Sequence, residues 1–164
     1  MTATELRPMP PSTLERLVVN GPAGALETDL NDPGLPRRGI AVIAHPNPVQ
    51  GGTKDNKVVT TLAKTLFGLG YVVIRANFRG VGASAGVYDE GRGELEDMLS
   101  VIAQSQSQSP ESKGLALAGF SFGAYVTSHV AAQLAPTGQL EKLVLVGTAA
   151  SRFQVAPVLP ELHD

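Results

Sequence analysis

Short, unbroken apolar runs alternate along most of this chain with amphipathic stretches, and the alternation predicts its elements. Ile40-Ala41-Val42-Ile43-Ala44 is apolar throughout, the pattern of a strand covered on both faces. Tyr71-Val72-Val73-Ile74, Leu115-Ala116-Leu117-Ala118 and Leu143-Val144-Leu145-Val146 repeat that pattern. Between them the period changes. From Lys54 onward, Val58, Val59, Leu62, Ala63, Leu66 and Phe67 fall at helical spacing, and Gly68 and Gly70 end that helix. A second helix is expected over 90–103, with Leu95, Met98, Leu99 and Ile102 on one face, and a third over 122–134 with a small-residue face. Upstream, 14–19 and 25–30 read as strands joined through Asn20-Gly21-Pro22-Ala23-Gly24, a hairpin. Segments 31–39, 45–53 and 77–86 read as loops, and the Gln/Ser tract 104–109 as a polar loop. Residues 1–11 are Pro-rich and read as loose, and 151–164 show no clear element.

After the hairpin the order is β, α, β, α, β, α, β. This predicts an α/β fold with a mainly parallel sheet and helices on both faces. Ligands of such sheets bind at the carboxyl ends of the strands. His45, the 77–84 loop and Ser121 all fall at those ends and are expected to share one cleft. The 164 residues make a single domain, 1–164, with 43% hydrophobic and 17% charged residues, an ordinary globular composition. The net charge of -2 gives no electrostatic case for nucleic acid or an anionic membrane. There is no cysteine, hence no disulfide, thiol nucleophile or cysteine metal site. Residues 1–12 lack a signal-peptide pattern, and no apolar run approaches the ~20 residues of a membrane span. These features read as a cytoplasmic protein.

The chemistry concentrates at Gly119-Phe120-Ser121-Phe122-Gly123, a G-x-S-x-G pattern directly after a buried strand and before a helix. In that context it reads as a nucleophile elbow, with the Ser121 hydroxyl exposed on a tight turn and Gly119 and Gly123 where side chains would collide. A helix N-cap serine is the plainer alternative. Neither a phosphate loop nor a metal cluster has recognisable spacing, and no cofactor is implied. Asp89, Glu90, Glu94, Glu96 and Asp97 read as a solvated face at a helix N-terminus.

Three motifs in order carry a resemblance. They are His45-Pro46-Asn47-Pro48-Val49-Gln50-Gly51-Gly52-Thr53 followed by Asp55-Asn56-Lys57, then Asn77-Phe78-Arg79-Gly80-Val81-Gly82-Ala83-Ser84, then the elbow. With them the chain resembles the α/β-hydrolase superfamily, and more narrowly the small bacterial hydrolases marked by a His-Pro-x-Pro…Gly-Gly loop. The resemblance runs over about 14–148 and implies a serine hydrolase with Ser121 as nucleophile, acting on a small acyl substrate, an ester in the first instance. One oxyanion-hole donor would be the Phe122 N–H. For the other, Pro46 and Pro48 have no N–H, which leaves Asn47 between them. The resemblance makes His45 a structural histidine that shapes this loop, and the Arg79 loop a brace for the cleft. His129 lies eight residues beyond Ser121, ~12 Å along a shared helix, and His163 is one residue from the end; neither reads as the base.

In this fold the triad runs Ser, acid, His along the chain. The family places the acid and the histidine on strands after 143–146, whereas the sequence ends at Asp164. The expectation is therefore a C-terminally incomplete domain lacking the last strands, with the triad acid and base beyond residue 164. Strand 143–146 would be an uncharged apolar edge open to an oligomer or partner. A non-catalytic ligand- or protein-binding domain of the same fold, or an inactive fragment, is the competing expectation.

Overall fold

The computed structural model describes residues 14–109, 114–148 and 156. Expectations placed on 1–11, 151–155, 157–164 and His163 lie outside the described residues. Six strands form one sheet: β1 (Leu14–Gly21), β2 (Gly24–Asn31), β3 (Gly39–Ala44), β4 (Tyr71–Ala76), β5 (Gly114–Phe120) and β6 (Leu140–Val146), in the order β1-β2-β4-β3-β5-β6. The hairpin β1–β2 is antiparallel and joins β4 antiparallel. β4, β3, β5 and β6 are parallel to one another.

Every residue of β3 is buried, as its unbroken apolar run requires. Its alternate side chains feed two cores. Ile40, Val42 and Ala44 join Leu115, Leu117, Phe122, Met98, Val101 and Val126 under α2 (Arg92–Gln108) and α3 (Phe122–Leu134). Ala41 and Ile43 face Val59, Ala63, Leu66 and Phe67 of α1 (Lys57–Gly68) on the opposite side. The predicted α/β architecture, mainly parallel with helices on both faces, is the one observed.

Boundaries differ where polar groups intervene. The 104–109 tract is helix as far as Gln108: glutamine sustains a helix, and no Gly or Pro interrupts the chain before Pro110. α1 starts at Lys57 rather than Lys54, with the Asn56 side chain accepting the N–H groups of Val58 and Val59. α2 starts at Arg92 instead of 90, after Gly91 at φ 99°. Lys54 is drawn away from α1 into a buried charge cluster. Its Nζ lies 2.7 Å from Asp29 and 3.2 Å from Asp55, while Arg75 Nη1 donates to the Lys54 carbonyl at 2.7 Å. β6 begins at Leu140, so this edge strand is not charge-free. It carries Glu141 and Lys142, and Glu141 is held by the Tyr71 hydroxyl and by Arg38 at 3.3 Å.

Asp29, Lys54 and Arg75 are each at most 6% exposed. Removing Asp29, which lies 2.7 Å from Lys54 and 3.5 Å from Arg75, leaves these two buried cations only the exposed Asp55, 3.2 Å from each. Asp29→Asn is therefore expected to destabilise the fold by about 3 kcal/mol, read from urea unfolding midpoints at constant slope.

Candidate active site at the carboxyl ends of the strands

Ser121 stands between β5 and α3 at φ 56°, ψ -115°, a region that non-glycine residues occupy only under constraint. The constraint is visible on both sides. Its N–H donates to the Val146 carbonyl at 2.9 Å, and its carbonyl accepts the Tyr125 N–H at 3.2 Å. The side chain does not cap α3, and among the described residues its hydroxyl makes no hydrogen bond. The N-cap alternative is thus not realised.

The two flanking glycines are dictated by backbone packing. A Cβ on Gly119 would stand 2.4 Å from the Gly123 carbonyl oxygen, and one on Gly123 would stand 2.2 Å from the Ala44 carbonyl oxygen. The second contact seats the first turn of α3 on the end of β3. Ala44 is in register with Gly119, so the loop leaving β3 runs beside the 120–122 turn. Asn47 and Phe122 are brought to the same end of the sheet as Ser121.

The loop after β3 is knitted to itself. Asn47 Oδ1 accepts the Val49 N–H at 2.9 Å, and its carbonyl accepts the N–H groups of Gln50 and Gly52 at 3.1 and 2.9 Å. Its own N–H makes no hydrogen bond among the described residues. Pro48–Gln50 form one 3-10 turn.

His45 ties this loop to the next. It is fully buried, its Nδ1 lies 2.8 Å from the Pro46 carbonyl, and its Nε2 accepts the Phe78 N–H at 3.0 Å. An imidazole that accepts at Nε2 carries its proton at Nδ1 and is neutral. Burial pushes its pKa down to about 4. It clamps two loops and has no lone pair left for Ser121. His129 packs its ring on Tyr125 at 5.2 Å, two turns along α3.

Arg79 ties the loop after β4 to α2 through a buried carboxylate. Its guanidinium meets Asp97 at 2.8 and 3.1 Å, and its N–H donates to the same carboxylate at 3.0 Å. That pairing holds the Arg79 pKa above its usual value. Asp97 and Glu94 are 1% and 0% exposed, so the solvated-face expectation fails for both. Glu94 accepts the N–H groups of Asp89 and Gly91, fixing the entry to α2. The helical spacing of 94, 98, 101 and 105 with buried apolar positions was the available signal. Asn77 was unassigned by sequence and is a hub. Its Oδ1 accepts the Lys54 N–H at 2.8 Å, its Nδ2 donates to Glu27 at 2.9 Å, and its carbonyl accepts the Ser84 hydroxyl at 2.7 Å. The Ala83 N–H and Asn77 together hold the Glu27 carboxyl below its ordinary value.

A strained serine between glycines at the end of a parallel strand, beside a loop stiffened by two prolines, is an arrangement with known relatives. The family model described as X-Pro dipeptidyl-peptidase (S15 family) matches residues 25–154. The chain belongs to this family of α/β hydrolases. XC6422 from Xanthomonas campestris, described as an α/β serine hydrolase without lid, is 38% identical, with TM-score 0.80 over 94% of this chain and 70% of its own. An α/β serine hydrolase homologue from Coxiella burnetii is 40% identical, with TM-score 0.74 over 87% of this chain and 70% of its own. The uncharacterised protein RP471 of Rickettsia prowazekii (strain Madrid E) is 38% identical over 117 residues, 71% of this chain. This α/β hydrolase chain spans about half (49%) the length of that curated relative. Among the described residues, no His, Cys, Asp or Glu group is placed to hold a metal ion, and no helix is long and apolar enough to cross a membrane.

The unfolded chain protonates His45 near pH 6.5, the fold only near 4. The stability His45 contributes is therefore full above about pH 6.5 and is lost as pH falls to about 4, by about 3 kcal/mol. Unfolding free energies across this window should fall for the wild type. The His45→Asn variant should lack that part of the slope. Gly123→Ala should unfold or misplace α3, seen as lost near-UV circular dichroism.

Proposed function

We propose that this chain carries the nucleophile half of a serine hydrolase acting on carboxylic esters. The observation that carries the reading is the Ser121 backbone, held at φ 56° in a conformation that costs about 1–3 kcal/mol and leaves the hydroxyl without a hydrogen bond among the described residues. In the proposed reaction Ser121 Oγ attacks the ester carbonyl and loses its proton to a base. The N–H groups of Asn47 and Phe122 donate to the resulting oxyanion. Collapse expels the protonated alcohol and leaves an acyl-enzyme, which water then hydrolyses to free Ser121. Neither described histidine is the base, because His45 is committed at both nitrogens and His129 lies two turns away. We assign the base and its orienting acid to residues outside the described ones.

A non-catalytic binding domain is the second reading, favoured by that same lack of a base near Ser121 among the described residues. A fluorophosphonate probe followed by intact mass separates the two. The expected result is a single adduct on the 17.1 kDa chain, absent from Ser121→Ala. Residual acceleration without the full triad is about 10³–10⁴ over water, so a protein supplying the base should label orders of magnitude faster. Labelling that persists in Ser121→Ala, or none at all, would overturn the hydrolase reading. Ser121→Gly should raise the unfolding free energy by about 1 kcal/mol while abolishing the adduct, the signature of strain kept for function.

A further inference from the structure

A cleft of about 310 Å³ opens between the loop after β3 and the loop after β4. One wall is Pro48, Val49, Gly51 and Gly52; the other includes Val81, Gly82 and Tyr88. Both walls reach the proposed oxyanion donors. Pro48 follows Asn47 directly, and the Tyr88 ring packs on Phe122 with centroids 5.7 Å apart. With Asn47 as an oxyanion donor, the cleft begins one residue along the chain from the group that holds the substrate carbonyl.

Its chemistry is neutral. Among the described residues no acidic side chain lines it. The cation in its wall, Arg79, is neutralised by Asp97 through paired hydrogen bonds, with its side chain 13% exposed. The Thr53 hydroxyl oxygen accepts the Asp55 N–H at 3.1 Å. The nearby carboxylates are held as well, Glu94 by the N–H groups of Asp89 and Gly91, Glu27 by Asn77 and the Ala83 N–H, and Asp89 and Glu90 by Arg92 at 3.5 and 3.8 Å. An enzyme that removes dipeptides from a free N-terminus must hold an ammonium group, and among the described residues no carboxylate on the walls would do so. What the cleft offers is a proline ring, a tyrosine face, glycine backbone and Val49, which is 69% exposed with no apolar cover.

Resting on the Ser121 reading, we infer that this cleft takes the uncharged, apolar acyl chain of an ester substrate, and that Val49 and Tyr88 select for it against an ammonium-bearing dipeptide. This departs from the peptidase activity in the family's description.

The test uses three probes on the ¹⁵N-labelled 164-residue chain, followed by amide chemical shifts. Hexylboronic acid and glycyl-boroproline share a warhead that adds to a serine oxygen with release of one proton, and differ only in the arm. Hexanamide has the chain and carbonyl without the warhead. Hexanamide and hexylboronic acid are expected to shift the amides of Gly51, Gly82 and Tyr88. Hexylboronic acid should bind at least about tenfold tighter than glycyl-boroproline. Val49→Asp, at an exposed position that leaves the fold intact, should reverse that preference. Glycyl-boroproline binding as tightly as hexylboronic acid would overturn the inference. So would shifts confined to Ser121 and Phe122, an outcome that leaves the nucleophile assignment standing. Cleft shifts with hexanamide and no boronate effect at Ser121 would support the cleft and remove the nucleophile instead.

Discussion

The contact on which the rest depends is between two backbones. Gly123, in the first turn of α3, lies so close to the Ala44 carbonyl that even a methyl group would stand 2.2 Å from it. That approach fixes how α3 sits on β3, and so how sharply the chain must bend between β5 and the helix. The bend is what drives Ser121 to a positive φ. The strain is local, but it is held by the sheet on one side and by Phe122 on the other. Phe122 is fully buried in the larger core among Phe78, Tyr88 and Tyr125. Packing energy spread over many apolar contacts outweighs one unfavourable backbone conformation.

Around that contact the loops are placed by polar groups that are buried and satisfied. His45 joins the β3 loop to the β4 loop, Asn77 joins the β4 loop to Lys54 and to the hairpin, and Asp97 joins it to α2. Each group uses its bonding capacity on backbone or on a charged partner. An unpaired polar group in the same place would cost more than the bond contributes. The result is a rim made of loops with no regular ladder of their own, fixed at several points to a rigid sheet.

The sheet and helices were legible because burial imposes period and length directly. β3, β4 and β5 are continuous apolar runs because both faces are covered, and α1 and α3 show their stripes plainly. The elbow was legible because a turn that tight restricts residue type at three positions. The buried charges were not. A carboxylate such as Asp97 is written the same way whether it faces water or Arg79, and only its place on the inner row of α2 distinguishes the two. Lys54 misled in the same sense, since it stands one turn before a helix it never enters. The start of β6 was missed because Glu141 and Lys142 break the apolar run, although Glu141 is anchored by Tyr71 and Arg38. Polar residues reveal their role through partners distant in sequence, and a local pattern cannot hold that information.

The strand order has a consequence for how the molecule comes into being on the ribosome. The sheet reads β1-β2-β4-β3-β5-β6, so β4 lies between two strands made before it. When β3 emerges, neither of its eventual neighbours exists, and β2 has only the hairpin to pair with. The slot between them stays open until Tyr71–Ala76 has been synthesised, and β3 acquires its second neighbour only with Gly114–Phe120. The most apolar strand of the chain therefore has two bare edges until β4 is made and one until β5 follows. Translation speed across roughly the first 120 residues, and the chaperones that meet them, therefore bear on yield as directly as the stability of the finished fold.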